Sequence, residues 1–361
     1  MRYQTNLQTA KMTIIKKIIL MICLTVMSVT AFAQNVQYHG PIYNVFFHPN
    51  IAYPKIAFTP DNHHLKYIDS WFVTTREFNK IILELYEKGF VLFSPKDLFE
   101  EKKDEKGNLV ITRKQIFLPA GKKPLILSLD DYNFYPNMKK NGTIHRFWID
   151  QQNKLATVTN QNNNETIIRY DQEVPQLLEN FIETHPDFSY NHARGIFALT
   201  GYNGIFGYDT HKPKHPDYSS QLNEAKKVIR KLKEMGWEFG SHSYFHFSRD
   251  KQTEKSFEES EKRWIREVSS LVGYSPYYIF PFGDSWDEIP VRMQFLKSIG
   301  YKYFFGVSST QEIMIRPGAV IMSRFPMDGL SLRNRYTNIK IYVTPARIMD
   351  EYRLEKTKKS L

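Results

Sequence analysis

The strongest constraint on this chain is the alternation of short apolar segments with longer amphipathic ones. Residues 43–47, 90–93, 125–129, 194–200, 237–240, 277–280, 303–307 and 320–323 are largely apolar and too short for ordinary helices. Between them, residues 75–88 carry Phe78, Ile81, Ile82, Leu85 and Tyr86 at helical spacing, with Gly89 where a helix would stop. Residues 220–235 repeat the pattern with Leu222, Ala225, Val228, Ile229 and Leu232, closed by Gly236. Residues 254–272 do so again with Phe257, Trp264, Ile265, Val268 and Leu271, closed by Gly273. Strands apolar on both faces must be covered on both faces, which predicts a parallel sheet wrapped by helices. No internal repeat and no G-x-G-x-x-G fingerprint is present, so a dinucleotide-binding sheet has little support. The expected fold is α/β, a (β/α) barrel with its functional residues at the carboxyl ends of the strands. One stretch, residues 138–171, is polar and rich in Asn and Gln, with alternating segments at 146–150 and 165–170. It reads as an inserted β-ribbon or long loop, either a substrate lid or a passive surface insertion.

The first residues read as an export signal. Lys16-Lys17 precede the apolar run 18–29, and Ala31-Phe32-Ala33 forms an A-x-A-like cleavage site. The run is short for a membrane span and no later stretch approaches the roughly 20 apolar residues a span needs, so no stable membrane insertion is expected after cleavage. The expectation is a signal peptide over 1–33, a single barrel domain over 34–361, and a periplasmic or secreted product. Cleavage would remove four basic residues and no acid, leaving 45 basic against 38 acidic and lowering the formal charge from +11 to +7. It would also remove Cys23, the sole cysteine. A disulfide, a cysteine zinc site and thiol chemistry are therefore excluded, and any metal must be held by nitrogen and oxygen. Export and the lack of a dense basic cluster argue against a nucleic-acid partner. Oligomeric state is not legible.

Three strand ends carry the chemistry. The segment 125–131 ends in Asp130-Asp131. Adjacent strand residues face opposite sides, so a turn must begin there if both carboxylates are to face one site. Two such anions are costly together unless a divalent cation takes one as ligand and leaves the other as a base. The segment 240–246 places His242 and His246 four residues apart, on one face if a helical turn begins there. Two imidazoles and one carboxylate make a three-ligand site with open positions. The third segment, 278–284, contains Pro281-Phe282-Gly283, a tight loop whose backbone amides are candidates for holding an oxyanion.

Taken together, Asp130-Asp131, His242-x-x-x-His246 and Pro281-Phe282-Gly283 resemble, in that order, the motifs of the polysaccharide deacetylase family, the NodB-homology domain of carbohydrate esterase family 4. The resemblance spans roughly residues 43–342. It implies a distorted (β/α) barrel and a metal-dependent amide or ester hydrolase. Asp131, His242 and His246 would be the metal ligands and Asp130 the general base. The chain departs from the family at two places. Ile279 stands where many members have an Arg that braces the catalytic Asp, and no histidine follows His246, so the usual C-terminal general acid is missing. One exported, circularly permuted branch, the poly-N-acetylglucosamine deacetylases, places its acid His at the end of an N-terminal strand. Phe47-His48 resembles that arrangement, which makes His48 the expected general acid. Phe282 N–H is the expected oxyanion donor, and Trp286 and Tyr132 are the expected sugar contacts. The implied cofactor is a divalent metal ion, with zinc suited to two imidazoles and a carboxylate. The implied partner is a polysaccharide containing N-acetylglucosamine. The alternatives are an O-acetyl glycan esterase and a non-catalytic glycan-binding barrel.

Overall fold

All eight apolar segments form strands, and seven of them are the staves of one barrel. The computed structural model describes residues 35–160, 165–283, 290–333 and 335–353. The expected signal peptide, Trp286 and the extreme C-terminus lie outside the described residues. The chain divides into two units, Met1–Tyr38 with Phe117–Gly121, and His39–Ile116 with Lys122–Leu361. In the smaller unit, Asn35–Gln37 pairs antiparallel with Phe117–Pro119, Val36 opposite Leu118.

The larger unit contains the barrel. Its staves are β1 (Tyr43–Phe47), β2 (Lys123–Asp130), β3 (Ile196–Leu199), β4 (Glu238–Ser241), β5 (Tyr277–Ile279), β6 (Tyr303–Val307) and β7 (Ala319–Pro326). Every neighbouring pair is parallel and follows chain order, and β7 pairs back onto β1, Phe325 opposite Val45. The ring is therefore closed. The strand Phe90–Leu92 lies outside it, paired with the start of β2 and bridged at Leu92 to Ser189. The helices around it include α1 (Leu65–Trp71), α2 (Thr75–Glu87), α3 (Val174–Thr184), α4 (Tyr218–Glu234), α5 (Glu254–Trp264) and α6 (Pro290–Ser298). The expected helix over 254–272 departs from plan once, at a π-helical turn, Ile265–Ser269, before Ser270–Val272.

Alternation along the staves sets what faces inward. Val45, Phe47, Leu125, Leu127, Leu129, Phe197 and Leu199 pack with Ile81, Leu85, Leu178, Val228 and Leu232 of the helices in one buried apolar cluster. The intervening Ser128 and Asp130 instead meet Arg324 of β7. Because β1 lies between β2 and β7, that contact crosses the barrel interior.

The polar stretch after β2 is a three-stranded antiparallel sheet, Arg146–Ile149, Leu155–Asn160 and Thr166–Arg169, with Leu155–Asn160 central. The two segments expected as a ribbon are its outer strands. Its buried centre carries Leu155, Ala156 and Val158.

Helix α2 begins with a reciprocal cap. Glu77 N–H donates to the Thr74 hydroxyl at 3.1 Å and Thr74 N–H donates to the Glu77 carboxylate at 2.9 Å. Thr74 also donates to Asp350 at 2.8 Å, tying the C-terminal segment to this helix. Thr74→Ala is expected to cost about 1–2 kcal/mol, measured by denaturant unfolding. A loss below a few tenths would show that the cap carries no weight.

Candidate active site

The carboxyl ends of the staves converge. β2 ends on Asp130, and at Asp131 the backbone turns left-handed, with φ 62°. That turn lets neighbouring carboxylates share one site, and a non-glycine residue holds it only where its surroundings fix it. Tyr135 supplies part of that hold. Its hydroxyl donates to Asp131 Oδ1 at 2.9 Å and sits 2.9 Å from Thr200 Oγ1. Burial, and then the charge of Asp131, pushes the Tyr135 phenol well up, which keeps it a donor.

β4 delivers His242 and His246, but not on a helix. Residues 242–248 form a loop in which Ser243 and His246 are left-handed, φ 58° and 54°. The helical turn expected from the spacing is replaced by a backbone reversal. It brings the two Nε2 atoms within 3.2 Å of each other. His242 Nδ1 lies 2.9 Å from the carbonyl of Ile279. A carbonyl only accepts, so Nδ1 bears the proton and Nε2 offers its lone pair. Burial drives the His242 imidazolium pKa down to about 4, against the opposing pull of Asp130, so the ring is neutral at neutral pH.

The loop is fixed from behind by α5. Tyr244 N–H donates to Ser260 Oγ at 3.2 Å, and Ser243 Oγ is 2.9 Å from that hydroxyl. Ser241 and Tyr278 donate to the Glu261 carboxylate at 3.0 and 3.2 Å. Glu261 is wholly enclosed, and burial raises its pKa from 4.5 to about 7. The native state then holds a proton that the unfolded chain releases, so this contribution is full below about pH 4.5 and lost as pH rises through about 7. Glu261→Gln is expected to flatten the fall in stability between pH 5 and pH 8, read by urea unfolding. An unchanged slope would refute that assignment.

Asp131, His242 and His246 each place one ligating atom within 4.8 Å of the others, the group among the described residues suited to a metal ion. His246 Nε2 lies 3.9 Å from Asp131 Oδ1. Tetrahedral coordination at about 2.0–2.2 Å separates donors by about 3.3–3.5 Å, so the set fits a small divalent cation after modest closure.

Asp130 is turned away from that role by Arg324, which holds both its oxygens, Nη1 to Oδ1 at 2.7 Å and Nη2 to Oδ2 at 3.0 Å. Burial alone would raise the Asp130 pKa. Arg324, then His242 and His48, outweigh burial and keep it below the ordinary carboxylate value. Arg324 is itself buried and also donates to Ser128 Oγ at 2.9 Å. The brace missing at Ile279 is thus supplied from β7.

His48 follows β1 and lines the same cavity. Its Nδ1 is 3.0 Å from the carbonyl of Trp71, the last residue of α1, so Nδ1 is the donor, and among the described residues Nε2 has no partner and is open for chemistry. Helix α1 is held in turn through Asp69, whose carbonyl accepts from Arg353 at 2.7 Å and Arg333 at 3.0 Å.

The cavity is about 390 Å³ and is lined by His48, Asp130, Asp131, His242, His246, Arg324 and Phe282, with Tyr67, Trp71, Arg335 and Tyr336 at its walls. Pro281 is buried, while Phe282 is left-handed, 66% exposed, with its ring 4.6 Å from that of His246. Gly283 follows at φ 71°, and a Cβ there would stand 2.4 Å from the Val307 side chain, so the loop requires glycine.

Tyr132 is corrected: it is fully buried, and its hydroxyl donates to Glu173 at 2.9 Å, so it packs the core and does not face the cavity. Trp286 lies outside the described residues. No described residue of the inserted sheet lines the cavity. Its aromatic walls come from Tyr67, Trp71 and Tyr336, which sequence reading missed because none lies near a motif.

The fold and site define a (β/α) barrel with a candidate metal centre at its mouth. No protein-family description matches the chain, and no curated protein matches its sequence. Among solved structures, it is similar to the Streptococcus pyogenes deacetylase PplD in complex with acetate, at 12% identity and a TM-score of 0.40 over 84% of this chain and 99% of that one. It is also similar to a candidate polysaccharide deacetylase of Bacillus anthracis, BA0330, at 11% identity and a TM-score of 0.41 over 81% of this chain and 65% of that one. A third, from Mycobacterium smegmatis and also a candidate polysaccharide deacetylase, matches at 17% identity and a TM-score of 0.27 over 40% and 43%.

Proposed function

We propose that the protein is an exported, metal-dependent deacetylase that hydrolyses N-acetyl groups on a polysaccharide containing N-acetylglucosamine. The observation that carries this reading is the convergence in one cavity of an Asp-His-His donor set, a second carboxylate clamped by a buried guanidinium, and a histidine whose Nε2 is left free. Asp131, His242 and His246 would hold the ion, for which zinc is the best fit to two nitrogens and an oxygen. When bound, that ion would polarise the acetamide carbonyl and acidify the attacking water.

The chain's own residues account for the rest. Asp130, kept ionised by Arg324, takes the proton of the attacking water. The Phe282 N–H, presented by the left-handed turn before Gly283, faces the developing oxyanion. His48, entering the step as the doubly protonated imidazolium, delivers its Nε2 proton to the departing sugar amine and becomes neutral while its Nδ1–H stays on the Trp71 carbonyl. Acetate and the free amine are the products. The leader, Lys16-Lys17 to Ala33, supports export, and among the described residues no helix is long and apolar enough to cross a membrane.

The test is release of acetate and free amine from N-acetylglucosamine oligomers by the purified, zinc-loaded protein. His48→Gln separates amide from ester chemistry. It is expected to lower N-deacetylation about 10²–10⁴-fold. The same change should hardly alter cleavage of an aryl acetate, whose leaving group needs no proton. Equal losses on both substrates would remove His48 from the acid role. No turnover of N-acetyl glycans beside brisk turnover of O-acetyl glycans would shift the reading to the esterase.

A further inference from the structure

We propose that Arg335 makes the site select an N-acetylated glycan carrying an anionic substituent beside the reacting sugar. The inference rests on the reading of the cavity as a deacetylase site. Among the described residues, four charged side chains besides histidines line the cavity: Asp130, Asp131, Arg324 and Arg335. Arg324 is committed, since both its terminal nitrogens are on Asp130. Arg335 is not. Its backbone N–H donates to the Leu330 carbonyl at 3.2 Å, fixing where the side chain leaves the chain. The guanidinium carbon lies 5.5 Å from the centre of the Tyr336 ring, and among the described residues the group forms no ion pair.

The charges then tell against a cationic or neutral preference. Among the described lining residues the two carboxylates and two guanidiniums cancel, so a divalent cation held by the Asp-His-His set would leave that lining net positive. Such a site attracts an anion and repels a polymer that already bears free ammonium groups. The walls fit the same occupant. Tyr67 and Trp71 present half-exposed rings on which the apolar face of a sugar can lie, while the planar fork of Arg335 suits two oxygens of a carboxylate or a phosphodiester.

The experiment compares kcat/KM of the zinc-loaded protein on three oligosaccharides that share the N-acetylglucosamine unit. One is neutral, one carries a neighbouring carboxylate, and one a neighbouring phosphodiester. The wild type is expected to prefer one or both acidic substrates by about 10–100-fold, the range of one or two charge-assisted hydrogen bonds. The arm that is preferred identifies the anion. Arg335→Gln should bring the acidic-to-neutral ratio toward one, chiefly through KM, Arg335→Lys should recover part of it, and added salt should compress it. A wild type without preference, or a ratio that survives Arg335→Gln, overturns the proposal. If no N-acetyl glycan is turned over, the deacetylase reading fails instead. Calorimetric binding of the same three glycans then decides on Arg335 by the same ratio.

Discussion

Asp130→Asn is expected to lower kcat for N-deacetylation about 10²–10⁴-fold while leaving metal content intact, at a cost in stability because buried Arg324 loses its counter-charge. The magnitude of the kinetic loss is that of removing a positioned general base. The change is isosteric, and its amide oxygen can still accept from Arg324, so the buried guanidinium keeps one of its two bonds. The donors of the candidate metal centre, on Asp131, His242 and His246, are untouched. The contrast is with His242→Ala, which removes a donor and should lose bound zinc and activity together. Metal analysis beside steady-state kinetics separates the two patterns. Undiminished turnover in Asp130→Asn would sink its role as base. Loss of zinc in that variant would place Asp130 among the ligands, a change of role that its 3.8 Å separation from His242 Nε2 makes worth measuring.

Much of this arrangement was legible in the sequence because its physics is local. An apolar run of four or five residues with turn signals at both ends has few alternatives to a covered strand, so the staves and the strand ends bearing Asp130, His242 and His48 could be read directly. The strand Phe90–Leu92 reads the same way and still lies outside the ring, because pairing partners are decided over long separations. The central strand Leu155–Asn160 was missed because Leu-Ala-Thr-Val-Thr-Asn alternates weakly, and its burial comes from tertiary packing. Tyr132 was misjudged for a related reason: nearness in sequence to Asp131 says nothing about which way a ring points after a left-handed turn. The clearest missed signal was Arg324. An arginine in the run 319–326, apolar apart from it and Ser323, must find an anion if buried, and Asp130 lacked its expected brace at Ile279. Two unmatched charges at strand ends of one barrel imply each other.

Arg324→Met should therefore be the costliest single change at the site. The side chain is 1% exposed, and so are few others of its size. Removing the guanidinium leaves the Asp130 carboxylate enclosed, with its bidentate partner gone and Ser128 without a donor. Breaking a buried pair in this one-sided way typically costs about 3–5 kcal/mol, far more than a surface ion pair. The methionine also loses the contact in which the guanidinium carbon sits 4.3 Å from the Phe46 ring. Denaturant unfolding at neutral pH measures the loss. Arg324→Lys keeps the variant testable if the methionine does not fold. An ammonium restores the charge but reaches one carboxylate oxygen at a time, so stability should recover more than activity does. That inequality distinguishes a residue that aims the base from one that only neutralises it. The double change Arg324→Met with Asp130→Asn supplies the closing measurement, because it removes both halves of the pair. It should be more stable than Arg324→Met alone, and a double variant no more stable than the single would show that the clamp seen across the barrel interior is not the source of the loss.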